Sequence, residues 1–276
     1  MAHYNIRVLE IGYDEHFPAG KAFDFWHMGD QQAYSPVAIT LIQGEGHNIL
    51  FDCGIDPEAG FSAAKIKMEN DQNCTNTADV LRAAGVDPAD IDAVILSHCH
   101  WDHMGGIKYL PNAKFYIQKA EADNWKTALA DPIFPITHKM VVNPEDIETL
   151  RACDRVEYLE GDVENLFPGI SLKMAAGHSF AQSMLFIDCD GGRFAVIGDV
   201  AMRPESFTGN EVFPCILPNL KFAVGTIKDI ALSYKSIMDF VDGDVTHIIP
   251  THDGTRHETW PTVRNEIGLN VTTICG

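Results

Sequence analysis

Apolar and polar positions alternate along this chain in short bursts. A first group of strand-length runs comprises YNIRVLEIG (4–12), VAITLIQ (37–43), NILFDCG (48–54), DAVILSH (92–98) and AKFYIQ (113–118). A second group comprises RVEYLEG (155–161), ISLKMAAG (170–177), SMLFIDCD (183–190), RFAVIGD (193–199) and VTHIIPTH (245–252). Val, Ile, Leu and Phe dominate these runs, and Gly, Asp or Asn close most of them, which reads as buried strands bounded by turns. Helical spacing appears between them, at 76–86, 119–130, 143–153 and 226–241. In the first of these, Asn76 or Thr77 can cap, and Val80, Leu81 and Ala84 give one apolar face. The order predicts an α/β protein, with two β-rich halves whose sheets pack face to face and helices outside. Residues 1–150 and 151–276 would be pseudo-equivalent halves of a single domain, since no linker separates them.

Four longer irregular stretches connect the elements, at about 14–36, 54–75, 129–147 and 201–225. Each carries Phe, Met, Trp or Pro, as in FDFWHMGD, DPIFPITHKM and NEVFPCILPNL. Loops with such apolar content are candidates to line a site.

Composition narrows the function classes. The 276 residues suit one large α/β domain, and 46% hydrophobic with 21% charged residues is an ordinary globular balance. A formal net charge of −19 repels phosphate backbones and argues against a nucleic-acid partner. No apolar run reaches the roughly 18 residues of a membrane span, and the first residues lack a basic segment followed by an apolar one. A cytoplasmic protein with a small-molecule substrate and no membrane partner is expected, and a homo-oligomer is compatible. Seven cysteines, an odd number with no C-x-x-C, read as a reduced set and not as a disulfide framework or a structural zinc site.

The chemistry gathers where apolar runs end. In SHCHWDHMGG (97–106), His98, His100, Asp102 and His103 follow the run AVILS directly. His98 and His100, two apart, share a face if the chain stays extended, and Asp102 and His103 diverge from them if a helix begins there. Gly105 and Gly106 permit a tight path just beyond. One pair can address one metal and the other pair a second, at the roughly 3.5–4 Å spacing of two-metal hydrolytic sites. Three more runs end the same way, on His178, Asp199 and His252. Imidazole and carboxylate suit zinc first, with iron or manganese as alternatives. Cys99 should point away from the face of His98 and His100 and reads as a core residue. His247 is expected to pack near a sheet, and Asp253 to be a turn residue.

The motif His98-x-His100-x-Asp102-His103, followed in order by His178, Asp199 and His252, resembles the metallo-β-lactamase superfamily, and FDCGID at 51–56 resembles the strand and turn that precede it there. The resemblance spans most of the chain. It implies an αββα sandwich with two divalent metal ions at one edge of the sheets. His98, His100 and His178 would hold one ion, Asp102, His103 and His252 the other, and Asp199 would bridge them. Water between two such ions loses a proton near neutral pH and becomes a nucleophile for a carbonyl. Asp102 is expected as a ligand whose free oxygen could also shuttle a proton to the leaving group.

Within the superfamily the chain looks most like the N-acyl homoserine lactone lactonases and related cyclic-ester hydrolases. The implied function is opening of a small lactone by a metal-bridging hydroxide. Two positions depart from that branch. Gln182 stands where its second histidine after the His178 motif would fall, and Met202 where a substrate-facing Tyr often stands. Tyr34, Trp26 and His27 are alternative donors by location alone. The same site on a thioester, as in the glyoxalase II branch, would need basic residues to grip a glutathione or coenzyme A tail; a cyclic amide is a further alternative. A flavo-di-iron enzyme would carry Glu in place of His100, and a persulfide dioxygenase would lack part of the second ligand set. A fold that uses metal only as scaffold is the non-enzymatic reading.

Overall fold

A computed structural model describes residues 1–18, 20, 29–209 and 223–276. Its strands are β1 (Tyr4–Pro18), β2 (Gln32–Gly44), β3 (His47–Phe51), β4 (Ala93–Ile95), β5 (Lys114–Gln118), β6 (Val156–Leu159), β7 (Val163–Phe167), β8 (Ile170–Ala175), β9 (Gln182–Cys189), β10 (Gly192–Gly198), β11 (Ile248–Pro250), β12 (Thr262–Arg264) and β13 (Asn270–Cys275). They form an eight-stranded sheet, ordered β12-β13-β1-β2-β3-β4-β5-β6, and a five-stranded sheet, ordered β11-β10-β9-β8-β7. The helices are α1 (Gly60–Glu69), α2 (Thr77–Ala83), α3 (Trp101–Met104), α4 (Lys119–Ala130), α5 (Ile136–Lys139), α6 (Pro144–Ala152), α7 (Glu205–Thr208) and α8 (Ile227–Phe240).

The period-2 pattern explains why these sheets stack. Successive strand side chains point to opposite faces, so a strand buried on both sides feeds two cores. In β9, Leu185 and Ile187 join Phe194 and Val196 of β10 in a core shared with Ile6, Val8, Ile49, Phe51 and Ile95 of the larger sheet. The alternate residues Met184, Phe186, Ala195 and Ile197 face the other way, onto Ile230, Tyr234 and Ile237 of α8. On the far side of the larger sheet, Leu9, Leu41, Leu50 and Val94 pack with Val80, Leu81, Trp125, Ile147 and Leu150 from α2, α4 and α6. Three cores between four layers make an αββα sandwich. Burial of each large aliphatic or aromatic side chain contributes roughly 1.5–3 kcal/mol.

Local signals place the helices. Asn76 caps α2 by accepting from Asp79 N at 3.0 Å, while Thr77 instead donates to Cys53 O. Thr226 and Asp229 form a reciprocal capping box that starts α8.

The structure departs from the sequence pattern in several places, among them the stretch near 54–75, read as irregular, where α1 (Gly60–Glu69) forms. Both ends of the stretch near 14–36 are strand, because β1 runs on to Pro18 and β2 begins at Gln32, and the two pair antiparallel. β6, which groups by sequence with the later strands, pairs in parallel with β5. The short β12 and β13 return the end of the chain to the larger sheet beside β1. The larger sheet therefore draws on both the first and last parts of the chain.

Candidate metal centre

β10 lies parallel to β11 and antiparallel to β9, which is antiparallel to β8. β8, β10 and β11 thus run in one direction, and their tips carry His178, Asp199 and His252 to one edge. β4 of the facing sheet ends at Ile95 and delivers His98 and His100 to the same place, with α3 carrying Asp102 and His103 onward. All seven residues that the sequence singled out converge there. Ligand atoms of His98, His100, His178 and Asp199 lie within 4.8 Å of one another, and those of Asp102, His103 and His252 do likewise. Asp199 lies between the groups. Its Oδ2 is 3.4 Å from both His178 Nε2 and His252 Nε2, and its Oδ1 is 3.4 Å from His103 Nε2. Asp102 Oδ2 is 3.4 Å from His252 Nε2.

Hydrogen bonds on the outer side of three rings set their tautomers. Ser97 Oγ donates to Asp52 Oδ2 at 2.9 Å, so it accepts from His98 Nδ1, 2.8 Å away. Asp52 Oδ2 also takes a bond from His103 Nδ1 at 2.8 Å. His252 Nδ1 donates to Pro36 O at 2.8 Å. With each Nδ1 engaged outward, each Nε2 faces inward and is the nitrogen left to bind a metal, as in metal-ligating imidazoles. His100 Nδ1 and His178 Nε2 approach each other at 3.1 Å.

The donor set fits divalent ions. His98 Nε2, His103 Nε2 and Asp199 Oδ1 are fully buried yet have no hydrogen-bond partner. Buried polar atoms are rarely left so, and several aimed at one space call for a cation. Burial and the neighbouring imidazoles hold His98 and His100 well below the usual histidine range. Burial lowers His178 to about 4. These three therefore stay neutral near pH 7. Burial alone would raise Asp199, but His252 and His103 outweigh it and keep the carboxylate ionised. Burial likewise opposes charge on His103 and His252, yet facing carboxylates raise both, His252 to about 9.

Asp52 and a glycine pair brace the motif. Asp52 adopts a left-handed φ of 64°, and its Oδ1 accepts from Ser97 N at 2.7 Å. A Cβ on Gly106 would stand 1.8 Å from Cys53 O. Only glycine therefore lets the turn after His103 close against the chain beyond β3.

The centre opens into a cavity of about 360 Å³. His100, Asp102, His178, Asp199 and His252 line it, and Phe17, Val37, Met68, Val141 and Met202 give it apolar wall. Asp14, Glu69 and Asp71 also face it, and no Lys or Arg does among the described residues.

The remaining sequence candidates fall elsewhere. Cys99 is wholly buried in the core beneath the site. Gln182 is buried and donates to Ile197 O at 3.0 Å. Tyr34 donates to Glu10 at 2.7 Å and is not among the residues lining the cavity. His247 packs against Phe194 and Trp260. Asp253 closes a turn by accepting from Thr255. Trp26 and His27 lie outside the described residues. Glu121 and the role of Asp52 escaped the sequence reading. Asp52 sits inside the quoted FDCGID, where a polar residue closing an apolar strand was the available signal.

Fold and site define a metal-dependent hydrolase of the metallo-β-lactamase superfamily. The chain belongs to that superfamily, whose family model matches residues 34–237. Among curated proteins it is similar to the N-acyl homoserine lactonase AiiA of Bacillus thuringiensis subsp. kurstaki, 26% identical over 74% of this chain and 80% of the relative. It is also similar to the N-acyl homoserine lactonase AiiB of Agrobacterium fabrum, 30% identical over 52% of this chain and 55% of the relative. Of solved structures, a mutant of B. thuringiensis AiiA with N-decanoyl-L-homoserine bound at its active site superposes with a TM-score of 0.66 at 21% identity, over 95% of this chain and 98% of the other. AidC, described as a dizinc quorum-quenching lactonase, superposes at 0.62 with 18% identity, over 99% of this chain and 95% of the other. No helix among the described residues is long and apolar enough to cross a membrane.

Proposed function

We propose that the chain is a single metallo-hydrolase domain that opens a small, uncharged lactone with two divalent ions, zinc first among the candidates. His98, His100 and His178 would hold one ion and Asp102, His103 and His252 the other, with Asp199 shared. When bound, such ions acidify water to a nucleophile near neutral pH and stabilise negative charge on a carbonyl oxygen.

The chain's own residues would do the rest. Phe17, Val37, Met68, Val141 and Met202 take up the apolar body of the substrate and displace water from it. Water oxygen adds to the carbonyl carbon, the ring C–O bond breaks, and the leaving alkoxide takes a proton to give a hydroxy acid. Asp102 faces the cavity, and in this reading its second oxygen carries that proton. The N-acyl homoserine lactonases to which the chain is similar support the lactone as substrate class.

The observation that carries the reading is the convergence of seven ligand-type side chains beside a cavity with apolar wall and no basic residue among those described. Glutathione and coenzyme A thioesters carry anionic tails, and this lining offers them carboxylates instead. A pH-stat comparison of neutral acyl lactones, cyclic amides and glutathione thioesters tests it. Faster lactone opening is expected, and a clear preference for the thioester would overturn it.

A further inference from the structure

Glu121 stands in the first turn of α4, wholly buried, although nothing in the chemistry above uses it. Every group around its carboxylate is a donor. Oε1 accepts from Cys99 N at 3.0 Å, from Trp125 Nε1 at 2.8 Å and from Ser179 Oγ at 2.5 Å. Oε2 accepts from Ala181 N at 2.8 Å.

Trp125 lies on α4 itself, and the other partners lie in loops beyond strand ends of the two sheets. Cys99 is the residue between His98 and His100. Ser179 and Ala181 belong to the turn that follows His178. The Trp125 ring packs edge-on to His100, with centroids 5.7 Å apart. One carboxylate therefore fastens the backbone or packing partner of each of the three histidines of the first ligand group. The second group has its own brace in Asp52, and no hydrogen bond links it to Glu121 among the described residues. We infer that Glu121 is a positioning residue that holds His98, His100 and His178 in register across the two sheets and so sets the metal affinity of that group.

The inference rests on the metal-centre reading above. It makes a particular demand on chemistry as well as shape. Glutamine matches glutamate in size but carries only one acceptor oxygen. If its oxygen keeps the three donors of Oε1, its NH2 meets Ala181 N, donor against donor, and the turn after His178 is released. Removing an outer partner of a ligating residue typically weakens metal binding by about 10–100-fold.

The test uses full-length protein loaded with cobalt(II), comparing wild type with Glu121→Gln. Chelator competition reads the two affinities, visible d–d absorption reads ligand geometry, and far-UV circular dichroism reads the fold. Expected is a folded variant whose affinity falls about 10–100-fold at one site only, with a changed absorption spectrum. A folded variant with both affinities and the spectrum unchanged overturns the inference. If Glu121→Gln does not fold, Ser179→Ala, which deletes only the hydroxyl that donates to Glu121 and accepts from Trp125 Nε1, must still weaken one site severalfold, and unchanged affinities there overturn it equally. Wild type that binds no cobalt would instead overturn the metal-centre reading itself.

Discussion

The Asp52 carboxylate lies 2.8 Å from His103 Nδ1, at the end of a strand where the chain has turned to a left-handed φ of 64°. The same carboxylate takes both the Ser97 amide and the Ser97 hydroxyl. It thereby orients His103 directly and His98 through Ser97. Asp52→Asn would set an NH2 against one of those donors. Metal affinity at the Asp102, His103 and His252 group is expected to fall about 10–100-fold. Isothermal titration with zinc checks this, and unchanged affinity in a folded variant contradicts it.

Asp146 predicts a pH effect away from the site. Burial, aided by Asp56 and opposed by Asn143, raises its carboxyl to about 7 from an ordinary 3.8. The folded state then holds a proton that the unfolded state has released, so this group lowers stability as pH rises from about 4 to about 7. Below that window both states are protonated and the penalty vanishes; above it the penalty is complete. Asp146→Asn is expected to gain roughly 1–4 kcal/mol at pH 8, at about 1.4 kcal/mol per unit, and almost nothing near pH 4. Urea unfolding at both pH values measures the difference, and an equal gain at both contradicts it.

Gly106→Ala forces a methyl group against Cys53 O. Both partners are backbone-defined, so relief requires the turn after His103 to shift. A loss of about 3 kcal/mol is expected, together with weaker metal binding. Thermal unfolding with and without zinc checks both, and a melting temperature within a degree of wild type contradicts the expectation.

Selectivity should respond to the acidic wall. Asp14, Glu69 and Asp71 face the cavity, and of these three carboxylates Lys65 pairs with Glu69 among the described residues. Burial, with Glu69 and Asp102, raises Asp71 to about 7, so at pH 8 or above Asp71→Asn removes one negative charge without touching a ligand. It is expected to improve kcat/KM for a carboxylate-bearing lactone about 3–10-fold relative to a neutral one, an effect that shrinks as salt screens the pocket. An unchanged ratio contradicts it.

Much of this site was legible in the sequence because its grammar is local. A buried strand announces itself by its apolar run, and His178, Asp199 and His252 each follow one closely. The four-layer stack was legible for the same reason, since runs apolar on both faces need cover on both. What escaped is non-local. Glu121 looks like any helix-face Glu in KAEADNW, and its burial is decided by Ser179 and Ala181, some sixty residues on. β12 and β13 are short and partly exposed, and they are strands only because β1 offers an edge. Tyr34 read as a loop donor because its commitment to Glu10 depends on the register of β1 against β2.

The central claim is two catalytic ions held by seven side chains. Metal analysis of the purified chain alongside lactone turnover, in wild type and His100→Ala, tests it most directly. Two divalent ions per wild-type chain, one in the variant, and loss of lactone opening with the lost ion are expected. A single redox-active iron, or lactone turnover that survives in His100→Ala, would contradict it.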